Sequence, residues 1–219
     1  METISQKIQV ELHSRFNRLL ATIVLFILLP PFLINGEYLK YAIYALLILV
    51  VITCTVVIFH NHKGYFWPLF ITAITVWAVI DEQSIHPLYQ LLREAWVAAF
   101  FLVTVRKIIL YMVRMDKVNP AVIVGAISAY LLLGLVGAVL FNLTDLLYAD
   151  SFNMPSEYDS YYRMIYFSFV TLTTLGYGDI TPISAQGKSV VLLVTLTGQL
   201  YLTVLMALLV GKFLNDLHE

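Results

Sequence analysis

Charge and cysteine are both scarce in this chain. Only 12% of its 219 residues are Asp, Glu, Lys or Arg, about half the share of an ordinary soluble domain. Hydrophobic residues make up 60%, and the mean hydropathy is +0.85. That composition excludes a soluble globule and calls for a bilayer. A formal net charge of −1 leaves no basic surface to neutralise phosphates, so a nucleic-acid partner is excluded. Cys54 is the one cysteine, so no disulfide can form within the chain, and its apolar setting reads as that of a small buried hydrophobe. Paired carboxylates within apolar runs are missing, as is any nucleophile-base set, and His13, His86 and His218 stand isolated. No enzyme is expected. His60 and His62 are too few for a metal site, and their spacing suits no helix face. Internal repeats and low-complexity segments are lacking too.

What the chain does have is a series of apolar segments. A helix needs about 20 mostly apolar residues to cross the hydrocarbon. Candidates lie at 19–34, 38–59, 65–80, 87–115, 119–141 and 186–214, which predicts six spans. The first is not a cleaved leader: its apolar run ends in Pro30-Pro31, with no small-x-small site before Asn35. Asn35-Gly36 supplies a turn, Pro87 starts a helix, and Asn119-Pro120 is a good cap and first-turn pair. With the N-terminus in the cytoplasm, Lys7, Arg15, Arg18, Lys63, Arg106, Lys107, Arg114, Lys117 and Lys212 fall inside, against Lys40, Arg93, Arg163 and Lys188 outside. That bias is the positive-inside rule, and six spans put both termini inside. Little chain flanks the spans, so no soluble regulatory domain is expected. The practical boundary is near Asn119, with four spans in 1–118 and a separate unit in 119–219.

Between the fifth and sixth spans lies Thr171-Leu172-Thr173-Thr174-Leu175-Gly176-Tyr177-Gly178-Asp179. Ser160 or Asp159 can cap a helix too short to cross, ending near Leu172. A backbone that aims successive carbonyls to one side must alternate in handedness, and Gly176 and Gly178 tolerate φ > 0. Carbonyls aimed inward from several such loops can replace an ion's hydration shell. TTLGYGD closely resembles the filter signature of tetrameric potassium channels, and the resemblance covers about residues 119–214.

The resemblance implies an all-α membrane protein. Each chain would contribute six transmembrane helices plus a re-entrant pore helix and filter loop, and three further copies would complete a tetramer in membrane lipid. It implies a bacterial cell membrane. It implies potassium ions bound by Thr174, Leu175, Gly176, Tyr177 and Gly178, with no organic cofactor. Thr173, Asp179 and Tyr166 would support the filter and its outer mouth, Tyr166 as hydrogen-bond partner of Asp179 or by ring packing. Leu175 stands where valine is usual. Val170 stands where some bacterial relatives have a glutamate. Counted without gaps, Gly198 falls at the family's hinge glycine, where close helix packing is an equal reading, and Gln199, Leu202 and Met206 would line the cavity below the filter. Gly125, Gly134 and Gly137 read as packing positions. Asp145, Asp150 and Glu157 are acids of the outer stretch that ordinary loop polarity explains as well as conduction does.

The fourth span carries Arg93, Arg106, Lys107 and Arg114, not an arginine at every third position, so strong voltage gating is not expected. A non-selective cation channel and a subunit of a potassium-uptake transporter are the alternatives. Tyr177 argues against the first, and a single intact filter copy argues against the second.

Overall fold

A computed structural model of the chain describes residues 2–33, 38–58, 66–80, 86–115, 118–153 and 160–217. The expected turns at Asn35-Gly36 and His60 to Gly64, the loop from Asp81, and Glu157 and Asp159 lie outside them. The described chain is almost entirely helical. Helix α1 runs Glu2–Leu28 and stops before Pro30, which has no N–H and whose ring would clash one turn back. A single turn, α2 (Pro30–Leu33), follows. Helices α3 (Tyr38–Ile58), α4 (Phe66–Ile80) and α5 (Pro87–Arg114) match the expected segments closely.

Helix α6 spans Pro120–Leu147, and the Asn119 side chain accepts from Val122 N at 2.9 Å, as its cap position requires. It continues two turns past Phe141, where the sequence reading ended it. The Thr144 hydroxyl turns back on Leu140 O at 2.7 Å, so this polar end satisfies itself inside the helix. Phe141 also packs against Phe152 and Phe167, with ring centroids 5.4 and 4.8 Å away. The short helix α7 is Ser160–Leu172, and α8 is Ala185–Leu217. Two strands that periodicity gave no sign of, β1 (Phe152–Asn153) and β2 (Thr181–Pro182), pair antiparallel.

Among the described residues, α5, α6 and 185–212 of α8 are long and apolar enough to cross a membrane, and Ala42–Val57 is a shorter apolar helix. Helix α6 is the hub, packed against α1, α5, α7 and α8. Its buried face is rich in small residues, including Gly125, Ala126, Ala129 and Ala138, which lets neighbouring backbones come close without help from the hydrophobic effect. Phe16 of α1 and Ile108 of α5 both reach the position a Gly125 Cβ would take, at 3.5 and 3.4 Å. Of the helices before α6, α1 and α5 therefore pack directly on it, and α3 and α4 reach it through them. Threonines add polar contacts between helices: Thr22 to Thr53 at 3.0 Å, Thr72 to Thr55 at 2.9 Å, and Trp96 Nε1 to Thr75 at 3.2 Å.

Candidate functional site: the loop after the short helix

Helix α7 is seated by glycines on α6. A Cβ at Gly134 would collide with the Phe169 ring, and one at Gly137 with the Ser168 hydroxyl. Through that gap Ser168, fully buried, donates to Gly134 O at 2.6 Å. Tyr130 donates to Leu172 O at 3.3 Å. From the other side, a Cβ at Gly198 would lie 2.5 Å from the same Leu172 carbonyl. Gly198 thus permits close approach of α8 to the end of α7, in an uninterrupted stretch of helix.

The helix ends in a Schellman motif. Leu175 N donates to Val170 O at 2.9 Å and Thr174 N to Thr171 O at 3.0 Å, the six-to-one and five-to-two bonds of that cap. The motif needs a left-handed residue at Thr174, whose φ is 60°. Gly176 N shares Val170 O at 3.3 Å, and Thr173 gives both its N–H and its hydroxyl to Phe169 O. The last turn's carbonyls are therefore occupied within the chain, and α7 can act on a cation only through its dipole.

Beyond the cap the backbone alternates. Gly176 has φ 57° and Gly178 φ 80°, both positive as the sequence predicts, while Leu175 and Tyr177 between them are not. With Thr174 this places left-handed residues at every second position. Such alternation turns successive peptide planes the same way, where an ordinary strand would point them to opposite sides. Among the described residues, no backbone N–H pairs with a carbonyl of residues 174–178. Residues 173–179 are all exposed, Leu175 at 54% and Tyr177 at 68%.

The loop is pinned at its outer end. Tyr166 faces Asp179, and hydrogen bonding toward that carboxylate first, with burial and the carboxylate's charge behind it, pushes the Tyr166 hydroxyl up to about 12. Val170, 7% exposed, faces the interior. Ile180 is buried and leads into β2. There Ser151, fully buried, joins three elements: its N–H donates to Asp145 Oδ1 at 3.0 Å, its carbonyl accepts from Ile183 N at 2.8 Å, and its hydroxyl oxygen accepts from Ser184 Oγ at 2.9 Å. Ser184 in turn caps α8 through Gly187 N at 2.9 Å. Asp145 thus has a structural bond, and Asp150 occupies a turn at φ 58°. Ser151, Ser168 and Tyr130 act through residues 33 to 42 positions away and carry no sequence signal, whereas Ser184 could have been read as the cap of α8.

Below the loop, Gln199, Leu202 and Met206 are exposed on α8. On α5, Arg93 pairs with the buried Glu94 at 2.7 Å, a partner on its own helix that the sequence reading missed. Arg106, Lys107 and Arg114 are exposed.

Residues 125–215 match a family model described as ion channel, a family of channels and not of enzymes. The A-type voltage-gated potassium channels of Homo sapiens and Rattus norvegicus are each 30% identical over 90 residues, covering 41% of this chain and 14% of theirs. The calcium-gated potassium channel TvoK of Thermoplasma volcanium is 31% identical over 85 residues, covering 38% of this chain and 23% of its own. The chain therefore spans under a quarter of the length of these relatives. No solved structure matches it significantly. The segment that holds α7, the loop and α8 thus matches an ion-channel family model and is similar to potassium channels, in a chain whose described helices include three long and apolar enough to cross a membrane.

Proposed function

We propose that the chain is one subunit of a homotetrameric potassium channel that conducts passively and is not strongly voltage-gated. Six spans cross the membrane, both termini are cytoplasmic, and residues 119–219 form the pore unit. Thr174, Leu175, Gly176 and Tyr177 lend successive carbonyl rings around a shared axis, Gly178 closes the segment, and the Thr174 hydroxyl is the innermost ligand. Potassium is the cargo that these rings bind and release.

One observation carries the reading: left-handed φ at Thr174, Gly176 and Gly178, in an exposed stretch whose carbonyls accept no backbone hydrogen bond. Unpaired carbonyls at membrane depth are expensive unless they line water or bind an ion. One chain supplies one such stretch, and closure of a ring needs copies. Potassium selectivity follows from Tyr177, held between the two glycines, and from the potassium channels that the segment is similar to.

The test is flux through purified protein in lipid vesicles. Potassium should pass far faster than sodium, and Gly176→Ala, strained at φ 57°, should abolish flux with the oligomer intact. Equal sodium and potassium flux favours the non-selective alternative. Flux that survives Gly176→Ala removes the reading altogether.

A further inference from the structure

Helix α8 meets the rest of its own chain along one face. Val194, Gly198, Tyr201, Leu205, Leu208 and Lys212 recur at separations of three and four residues, and all are buried or half-buried. Gln199, Leu202 and Met206 lie on the exposed side. Three anchors fix the packed face. Gly198 abuts Leu172, and Tyr201 donates to Ala126 O on α6 at 2.7 Å. The third is Lys212. Its ammonium donates to Met112 O at 2.6 Å, to Val113 O at 3.2 Å and to Met115 O, which are the carbonyls at the C-terminal end of α5.

Those carbonyls have no partner within their own helix, and the end of a helix carries partial negative charge, so a cation is suited to both. All three ammonium donors find acceptors. Between Tyr201 and Lys212, about 16 Å of helix, α8 borders an apolar cavity of about 360 Å³ walled by Ile109, Met112, Leu133, Tyr201, Leu205 and Leu208. Contact there is sparse, so the inner end of α8 depends on its last anchor.

We propose that Lys212 is a positioning residue that clamps the inner end of α8 to the end of α5 and so keeps the inner entrance of the pore wide. The proposal rests on the channel reading above. The clamp lies on the face away from Gln199, Leu202 and Met206, so it draws α8 toward its own chain and off the shared axis. Without it, the three turns beyond Tyr201 are free to swing inward.

The test combines single-channel recording in planar bilayers with a distance measurement. Lys212→Met should lower open probability about tenfold, the scale of losing a charged helix cap, with unitary conductance and ion selectivity unchanged. Lys212→Arg keeps the charge and donors, and should restore most of the loss. Spin labels at exposed Val113 and Leu214, in tetramers diluted with unlabelled chain, should show a broadened distance in Lys212→Met and not in Lys212→Arg. Unchanged open probability in Lys212→Met, or equal impairment in both variants, overturns the proposal. If the wild-type protein passes no current, the channel reading fails, and the label distances alone decide the clamp.

Discussion

A β-branched residue at φ 60° is rare, and Thr174 is one. The left-handed region costs a non-glycine residue about 1–2 kcal/mol. Here the helix cap requires that conformation, and glycine would meet it without strain. Under the channel reading proposed above, threonine is kept there for its hydroxyl, the innermost ligand. Thr174→Gly should therefore raise the thermal midpoint of the protein in potassium-free buffer while lowering potassium-over-sodium selectivity. Calorimetry and vesicle flux, run on the same preparation, separate the two effects. Tyr166 sets a pH limit of its own. Asp179 favours the protonated hydroxyl, which raises its pKa from an ordinary 10.0 to about 12. A pKa raised on folding contributes stability that is fully present below pH 10 and is lost as pH rises through about 12. The thermal midpoint of the wild type should carry a component that falls across that window, and Tyr166→Phe should lack it while being less stable at neutral pH.

At the scale of elements, the decisive contact is α7 on α6. It is made by absent side chains, since Gly134 and Gly137 leave the space that Phe169 and Ser168 occupy. Gly134→Ala should force the Phe169 ring aside, cost about 1–3 kcal/mol, and displace the loop that follows. Gly211→Ala is the control. Nothing lies within 4 Å of a Cβ there, and alanine should gain up to about 1 kcal/mol of helix propensity. Thermal unfolding of both variants reads the difference. This contrast also shows why some of the structure was legible and some not. The hydrophobic runs, Pro87, Asn119-Pro120 and the glycines of the loop act through local backbone rules, and a sequence displays such rules directly. The three packing glycines of α6 were readable because small residues in an apolar helix have few other uses. The strand pair of Phe152 with Pro182, the Ser151 junction and the Lys212 clamp unite residues about 30 to 100 positions apart, and no periodicity encodes them. Thr174 was named in the sequence, but its left-handed conformation escaped because a Schellman cap is expected to show glycine.

At the scale of the whole molecule, the question is what moves the pore. Of the helices ahead of the pore unit proposed above, α1 and α5 lie directly on α6. A sensor must carry charge through the field, about 3 to 4 charges per subunit for steep gating. On α5, Arg93 is paired with the buried Glu94 beside it, which offsets its charge. Arg114 is the helix's last residue, at its C-terminal end. Arg106 and Lys107 remain, adjacent in sequence, and Arg106 is about 20 Å along the helix from Arg93. With α5 also tied through Lys212 to α8, any charge movement would have to drag the inner end of the pore with it. Open probability measured from −120 to +120 mV, a range of about 2.3 kcal/mol per charge per 100 mV, should therefore change shallowly, with a slope equivalent to one charge or fewer per subunit. Replacing the pair together, Arg93→Gln with Glu94→Gln, should leave that slope unchanged. A slope equivalent to three charges per subunit would mean that Arg106, Lys107 and Arg114 cross the field together, and that the front helices are a working sensor after all.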